Sequence, residues 1–238
     1  MTIAGTSVLV TGGNRGIGQA LVEEALHRGA ARVYAGTRQP LAHPDPRVTP
    51  VTLDVTSADQ IKAAADQVES LDILVNNAGV FLFEDLSDRA ALERHLAVNF
   101  YGTYDVTRAF LPALTRSRGA IVTIGSIAAL APIPLTPAYS LSKAAAFNLT
   151  QSLRILLAGQ GVRVHAVLSG PVDTEMVRDL EIPKSSPESV AKAVFDGIDS
   201  GEEDIFPDPF SQTLAEGWHA GVAKALERQN AALLNAVE

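Results

Sequence analysis

Ser7-Val8-Leu9-Val10-Thr11-Gly12-Gly13-Asn14-Arg15-Gly16-Ile17-Gly18 is the stretch on which the fold of this chain turns. Its first five residues form a short apolar run rich in β-branched side chains, as in a strand buried in a sheet. A glycine-rich turn follows, and from Gln19 to Gly29 apolar residues recur at Leu21, Val22, Ala25 and Leu26 with a helical period. Strand, glycine turn and helix in that order predict the opening of a dinucleotide-binding βαβ unit. The glycines let the backbone turn tightly and approach a pyrophosphate, which rests against the positive end of the helix. Gly12, Gly16 and Gly18 are separated by three residues and then one, which departs from the general G-x-G-x-x-G.

Beyond this unit, strand and helix alternate. Apolar strand candidates lie at 7–11, 32–36, 51–54, 72–76, 120–125, 162–167 and 203–207, with helical stretches near 17–29, 57–70, 87–115, 137–159 and 186–200. Runs such as Ile73-Leu74-Val75 and Ile121-Val122-Thr123-Ile124 are apolar almost throughout. Such strands are buried on both faces, which predicts a parallel sheet sandwiched by helices. The 238 residues fit one sizeable α/β domain over 1–238, ending in a helical tail at about 209–238. A net charge of −8 argues against a nucleic-acid partner, and no apolar run is long enough to span a membrane. The absence of cysteine excludes thiolate chemistry, and with no secretory pattern at the N-terminus it fits a cytoplasmic protein. The histidines at 27, 43, 95, 165 and 219 show no metal-ligand spacing, so no metal is expected.

Tyr139 and Lys143 stand four residues apart in the helical stretch 137–159, on one helical face. A cation held there is expected to stabilise the phenolate and make the tyrosine a better proton donor and acceptor near neutral pH. Other chemically suggestive residues occur where strands end: Asp54, Asn76-Asn77-Ala78-Gly79 and Ser126. In open parallel sheets ligands bind beyond those carboxyl ends.

Together these motifs resemble the classical short-chain dehydrogenase/reductase family. Thr11-Gly12-x-x-x-Gly16-Ile17-Gly18 matches that family's cofactor loop, which accounts for the glycine spacing, and Asn76-Asn77-Ala78-Gly79 matches its sheet-stabilising motif. Asn99, Ser126, Tyr139 and Lys143 match its catalytic tetrad in chain order, with the serine 13 residues before the tyrosine. Gly170-Pro171-Val172-Asp173-Thr174 resembles the segment along the nicotinamide, although Ser169 replaces the usual preceding proline. The resemblance covers roughly residues 6 to 200 and implies an NAD(P)-dependent oxidoreductase on a Rossmann-like, doubly wound, seven-stranded sheet in three layers. It implies that Gly12, Asn14, Arg15, Gly16, Ile17 and Gly18 contact the dinucleotide. The same holds for Asn77, Ala78, Gly79, Tyr139, Lys143, Pro171, Val172 and Thr174, with Asp54 and Val55 at the adenine. In the family, the asparagine disturbs its helix and holds a water that links the lysine to solvent.

Cofactor choice is read at the end of the second strand. A carboxylate there would bind the ribose 2′-hydroxyl, but this chain has Thr37 followed by Arg38, whose guanidinium suits a 2′-phosphate. NADP(H) is therefore expected over NAD(H), with Arg15 a second candidate cation. The loop Ile127 to Leu135 lacks a lysine or arginine and, with Phe81, Phe83 and Met176, is expected to wall an apolar pocket. These features predict a carbonyl reductase or secondary alcohol dehydrogenase for an apolar ketone, aldehyde or alcohol. The alternatives are an NAD-linked dehydrogenase of a more polar alcohol and a non-catalytic dinucleotide sensor. The tail carries an apolar stripe, Leu214, Trp218, Val222, Leu226 and Leu233, expected to pack on the body or on a neighbouring subunit. Pairing through the two long helices predicts a homodimer, with a homotetramer as the other possibility.

Overall fold

Short buried strands alternate with amphipathic helices along the whole chain. The computed structural model describes residues 1–39 and 42–234. The first half contains β1 (Ser7–Thr11), α1 (Gly16–His27), β2 (Arg32–Thr37), β3 (Val48–Thr52), α2 (Ala58–Gln67), β4 (Ile73–Asn76) and α3 (Arg89–His95). A π-helical segment, Leu96–Gly102, runs on into α4 (Thr103–Ser117) and β5 (Ala120–Ile124). Then come α5 (Pro137–Leu157), β6 (Arg163–Val167), α6 (Pro187–Ser200), β7 (Asp204–Ile205), α7 (Pro209–His219) and α8 (Val222–Leu234).

Among the described residues the seven strands form one sheet in the order β3-β2-β1-β4-β5-β6-β7, and every pairing is parallel. Successive side chains of a strand point to opposite faces, so both faces must be covered. Val8 and Val10 of β1 pack with Leu21 of α1 and Val194 and Phe195 of α6. Leu9, Leu74 and Ile121 face the other way, toward Phe110 and Leu114 of α4. Each such side chain stabilises the fold by about 1.5–3 kcal/mol relative to exposure. The result is a single Rossmann-like α/β domain in three layers. Its strand order reverses between β1 and β4, and the crevice at that switch point is where such sheets bind ligands.

Three local expectations need correction. The third strand begins at Val48, so Asp54 lies two residues beyond its end, and β7 is confined to Asp204–Ile205. The helix expected over 87–115 is three pieces, α3, the π-helical segment and α4. Asn99 sits inside the π-helical segment: its side-chain oxygen accepts from Val80 N (2.8 Å), and its amide donates to Val80 O (3.0 Å) and Ser142 Oγ (2.9 Å). A polar side chain bonded outside its own helix goes with the widened turn.

The tail differs most. Trp218 packs on Phe147, with ring centroids 5.4 Å apart, but Leu214, Val222 and Leu226 are 40%, 86% and 52% exposed. The side chain of Leu233 and residues 235–238 lie outside the described residues. Charge does what the apolar stripe does not. Lys224, only 1% exposed, donates to Asp204 (2.7 Å), Glu203 (2.8 Å) and Glu227 (2.9 Å). Arg154 of α5 reaches Asp204 (2.8 Å) and Glu227, and the Trp218 indole donates to Asp204 (2.8 Å). A buried carboxylate such as Asp204 survives only with such partners. No helix among the described residues is long and apolar enough to cross a membrane.

Candidate active site

At the carboxyl end of β1 the chain turns into α1 through Gly12 to Gly18. A Cβ on Gly18 would lie 2.0 Å from the Gly12 carbonyl oxygen, so no other residue fits there. Gly16 has φ +52°, and a Cβ on it would come within 3.1 Å of the Thr174 methyl. That narrow cradle has the glycine turn on one wall and Thr174 on the other. The N-cap of α1, Arg15, offers no side-chain hydrogen bond, leaving the first amide donors of the helix for an anion. Asn14 and Arg15 are exposed on the rim, and Ile17 is half-buried. Across the crevice, the Asn77 and Ala78 amides both donate to Thr11 Oγ1 at 2.9 Å, and the Asn77 side chain donates to Thr11 O at 2.9 Å. These bonds fasten Asn77-Ala78-Gly79 to the glycine turn. The cradle, the open helix terminus and the strand-end position together fit a nicotinamide dinucleotide.

Ser126, Tyr139, Lys143 and Asn99 converge beside this crevice. Lys143, 8% exposed, donates to Ile124 O (2.9 Å), and its Nζ lies 5.7 Å from the centre of the Tyr139 ring. The Ser126 hydroxyl stands near enough to the Tyr139 phenol to ease its ionisation, and a Cβ on Gly79 would lie 3.3 Å from Asn99 Oδ1 and 3.8 Å from Lys143 Nζ. Burial pushes the phenol up to about 12, only partly offset by the nearby Ser126 hydroxyl, and pushes the ammonium down to about 8. Desolvation, which disfavours both charged forms, governs both shifts, so neither shift carries the expected stabilisation of the phenolate by the ammonium.

Three supporting residues escaped the sequence reading. Glu84 accepts from the Ala138 amide (2.6 Å), capping the start of α5 from a loop 54 residues away. His95 is fully buried; its Nε2 accepts from Leu82 N (3.1 Å), which puts the ring proton on Nδ1, facing Ala91 O (2.9 Å). The His95 ring stands 6.1 Å from that of Tyr139, and the Phe81 ring contacts Tyr139 edge-on at 5.1 Å. Asp208, 2% exposed, accepts from Gly170 N (2.7 Å) next to Pro171. No local signal marks these residues, because each acts across a long loop.

The outer residues divide. Thr37 is buried, its hydroxyl donating to Gln39 O (2.8 Å), while Arg38 is exposed beyond the end of β2. Asp54 is engaged by Thr56, whose amide (2.9 Å) and hydroxyl (2.7 Å) hold its carboxyl below the usual range. The Val55 side chain is packed against Gly102 in the core, so only its backbone is free for an adenine ring. Val172 pairs with Ser185, and Arg15 bonds Glu175 at 2.5 Å, just beyond Thr174. Of the expected pocket residues, Leu135 and Met176 are 64% and 45% exposed and Phe81 lies against Tyr139. Ile127 lines an apolar groove with Phe210, Leu214 and Trp218. Among the described residues no cluster could hold a metal ion.

Comparison with known proteins agrees with this geometry. The profile of the short chain dehydrogenase family matches residues 6–184. The 2-(S)-hydroxypropyl-CoM dehydrogenase 3 of Xanthobacter autotrophicus is 38% identical over 201 residues, covering 78% of this chain and 79% of that one. The 11-beta-hydroxysteroid dehydrogenase-like 3 of Arabidopsis thaliana is 33% identical over 226 residues, 84% of this chain and 72% of its own. Among solved structures, a short chain dehydrogenase from Burkholderia cenocepacia in complex with NADP is 38% identical, with a TM-score of 0.88 over 96% of this chain and 98% of that one. The chain therefore belongs to the short-chain dehydrogenase/reductase family, NAD(P)-dependent oxidoreductases that act on alcohol and carbonyl groups.

Proposed function

We propose that the protein is an NADP(H)-dependent carbonyl reductase, or secondary alcohol dehydrogenase, for apolar ketones, aldehydes or alcohols. The observation that carries this reading is the convergence of the Ser126 hydroxyl, the Tyr139 phenol and the Lys143 ammonium beside the crevice, next to an apolar groove. When bound, the nicotinamide supplies or accepts the hydride. With the Ser126 hydroxyl beside the Tyr139 phenol, a single substrate oxygen can meet both. Ser126 donates a hydrogen bond that stabilises charge growing on that oxygen, and Tyr139 delivers the proton. A phenol held up near 12 keeps its proton at neutral pH, the form a general acid needs in reduction. Lys143 spends one N–H on Ile124 and keeps two for ribose hydroxyls. Asn99, bonded to Val80 and Ser142, keeps the backbone beside Lys143 in place.

Preference for NADP(H) rests on Thr37 and Arg38 at the end of β2, where no carboxylate stands to repel a 2′-phosphate. The structure gives the NAD-linked alternative one argument: Arg15, the second candidate cation, is already paired with Glu175. Exposed apolar side chains on the long helices, Tyr104 and Leu156 among them, support a homodimer. The decisive experiment is a panel of ketones and aldehydes assayed with NADPH and NADH, on the parent chain and on Tyr139→Phe. NADPH-dependent turnover that falls by about 10²–10⁴-fold in the variant, with cofactor affinity retained, is expected. Faster turnover with NADH would reject the cofactor assignment, and turnover undiminished in the variant would remove Tyr139 from the chemistry.

A further inference from the structure

An apolar groove of about 390 Å³ runs between the loop that follows Ser126 and the tail helix α7. Ile127, Ala128 and Ile133 line one side and Phe210, Leu214 and Trp218 the other. Its near end adjoins the Ser126 hydroxyl, which accepts from the amide of the lining residue Ala128 (3.1 Å). The same end adjoins the turn expected to face the nicotinamide: a Cβ on Gly170 would lie 3.2 Å from the Phe210 ring. The opposite wall is held rigidly. Asp208 caps α7 through Ser211 N (2.9 Å) while accepting from Gly170 N (2.7 Å), and Trp218 is tied to the buried Asp204. Gly217 adds an independent sign. It lies within α7 and lines the groove, and a Cβ on it would meet nothing within 4 Å. Glycine is a poor helix former, so its presence where alanine would fit keeps the groove wide.

Resting on the reductase reading above, we propose that α7 is the specificity wall of the site: Phe210, Leu214, Gly217 and Trp218 receive the apolar body of the substrate while Ser126 and Tyr139 hold its oxygen. Asp208 is the positioning residue that locks this wall to the Gly170 turn. The substrate class is then a carbonyl compound with an extended aliphatic or alicyclic chain and no anionic group, since among the described residues no lysine or arginine lines the groove.

Trp218 is the sole tryptophan of the chain, so its emission reports the groove without turnover. Titration of decan-2-one into the full chain is expected to shift that emission to the blue and to saturate. Gly217→Leu, which fills open space and improves a helix, is expected to fold normally, abolish the shift and lower the ratio of kcat/KM for decan-2-one over propanone at least tenfold. Leu214→Ala is expected to raise that ratio. No saturable shift in the parent, or a ratio unmoved in both variants, overturns the proposal. So does a Gly217→Leu chain that changes only its oligomeric mass, which would make the groove a contact between copies. A parent chain that shows the shift yet reduces neither ketone refutes the reductase reading alone and leaves the groove assigned to an apolar ligand.

Discussion

Tyr139 and Lys143 show how far burial bends the chemistry of single residues. Lys143 falls from an ordinary lysine value to about 8, so in the folded chain it is charged near pH 7 and loses its proton just above that. Tyr139, held near 12, stays protonated throughout. The reduction rate is therefore expected to be level near neutral pH and to fall above about pH 8 as the ammonium is lost. A kcat/KM profile for a ketone whose own ionisation is silent measures this, and a flat profile well past that point would detach Lys143 from the reaction. The same shift has a stability consequence. Between about pH 8 and the unfolded value of 10.5 the folded chain binds fewer protons than the unfolded chain, so stability rises with pH there and is at its lowest below that window. At 1.36 kcal/mol per pKa unit the desolvated charge costs about 3 kcal/mol near neutrality. Lys143→Met should thus inactivate the enzyme yet melt at a higher temperature than the parent at pH 7. The charges of this pair were legible in the sequence; the direction of their shifts was not, because it depends on the side chains that exclude water from them.

Among the elements, those whose neighbours lie close in the chain were the most legible. The strand of Ser7–Thr11, the glycine turn and α1 follow from local pattern, and α5 carries Tyr139 and Lys143 on one face as the spacing requires. The disturbance of the long helix at Asn99 was implied by the family resemblance, but its division into three segments was not legible, since the π-helical turn depends on bonds to Val80 and Ser142. In the tail, apolar spacing suggested the fastening, whereas no local pattern marks Lys224. Its burial among Glu203, Asp204 and Glu227 makes it the clamp of α8. Lys224→Met is expected to destabilise the protein by about 1.5–3 kcal/mol, because the buried Asp204 and Glu227 lose one charged partner and keep Arg154. Denaturant unfolding would read that loss, and a change below about 1 kcal/mol would mean that packing rather than charge retains the tail.

For the molecule as a whole, Tyr101, Tyr104, Leu141 and Leu156 leave 56%, 38%, 51% and 61% of their surface exposed along the π-helical segment, α4 and α5. Apolar side chains spread along adjoining helices suit the proposed homodimer. Light scattering is expected to give twice the 25.1 kDa chain mass, and Tyr104→Glu with Leu156→Glu to return the single chain. A monomer in the parent protein would rule this surface out. By itself the sequence determined the alternation of strand and helix, the parallel sheet and the glycine turn, because periodicity and short spacings express them within one or two turns of backbone, while the Asn99, Ser126, Tyr139 and Lys143 set was implied by the family resemblance. Only the tertiary structure decided that Glu84 caps α5, that Asp208 joins the tail to the Gly170 turn, and that α7 lines the groove beside Ser126. Those contacts join residues tens of positions apart, and whether a polar or apolar side chain meets water, a partner or a ligand is set by what folds against it.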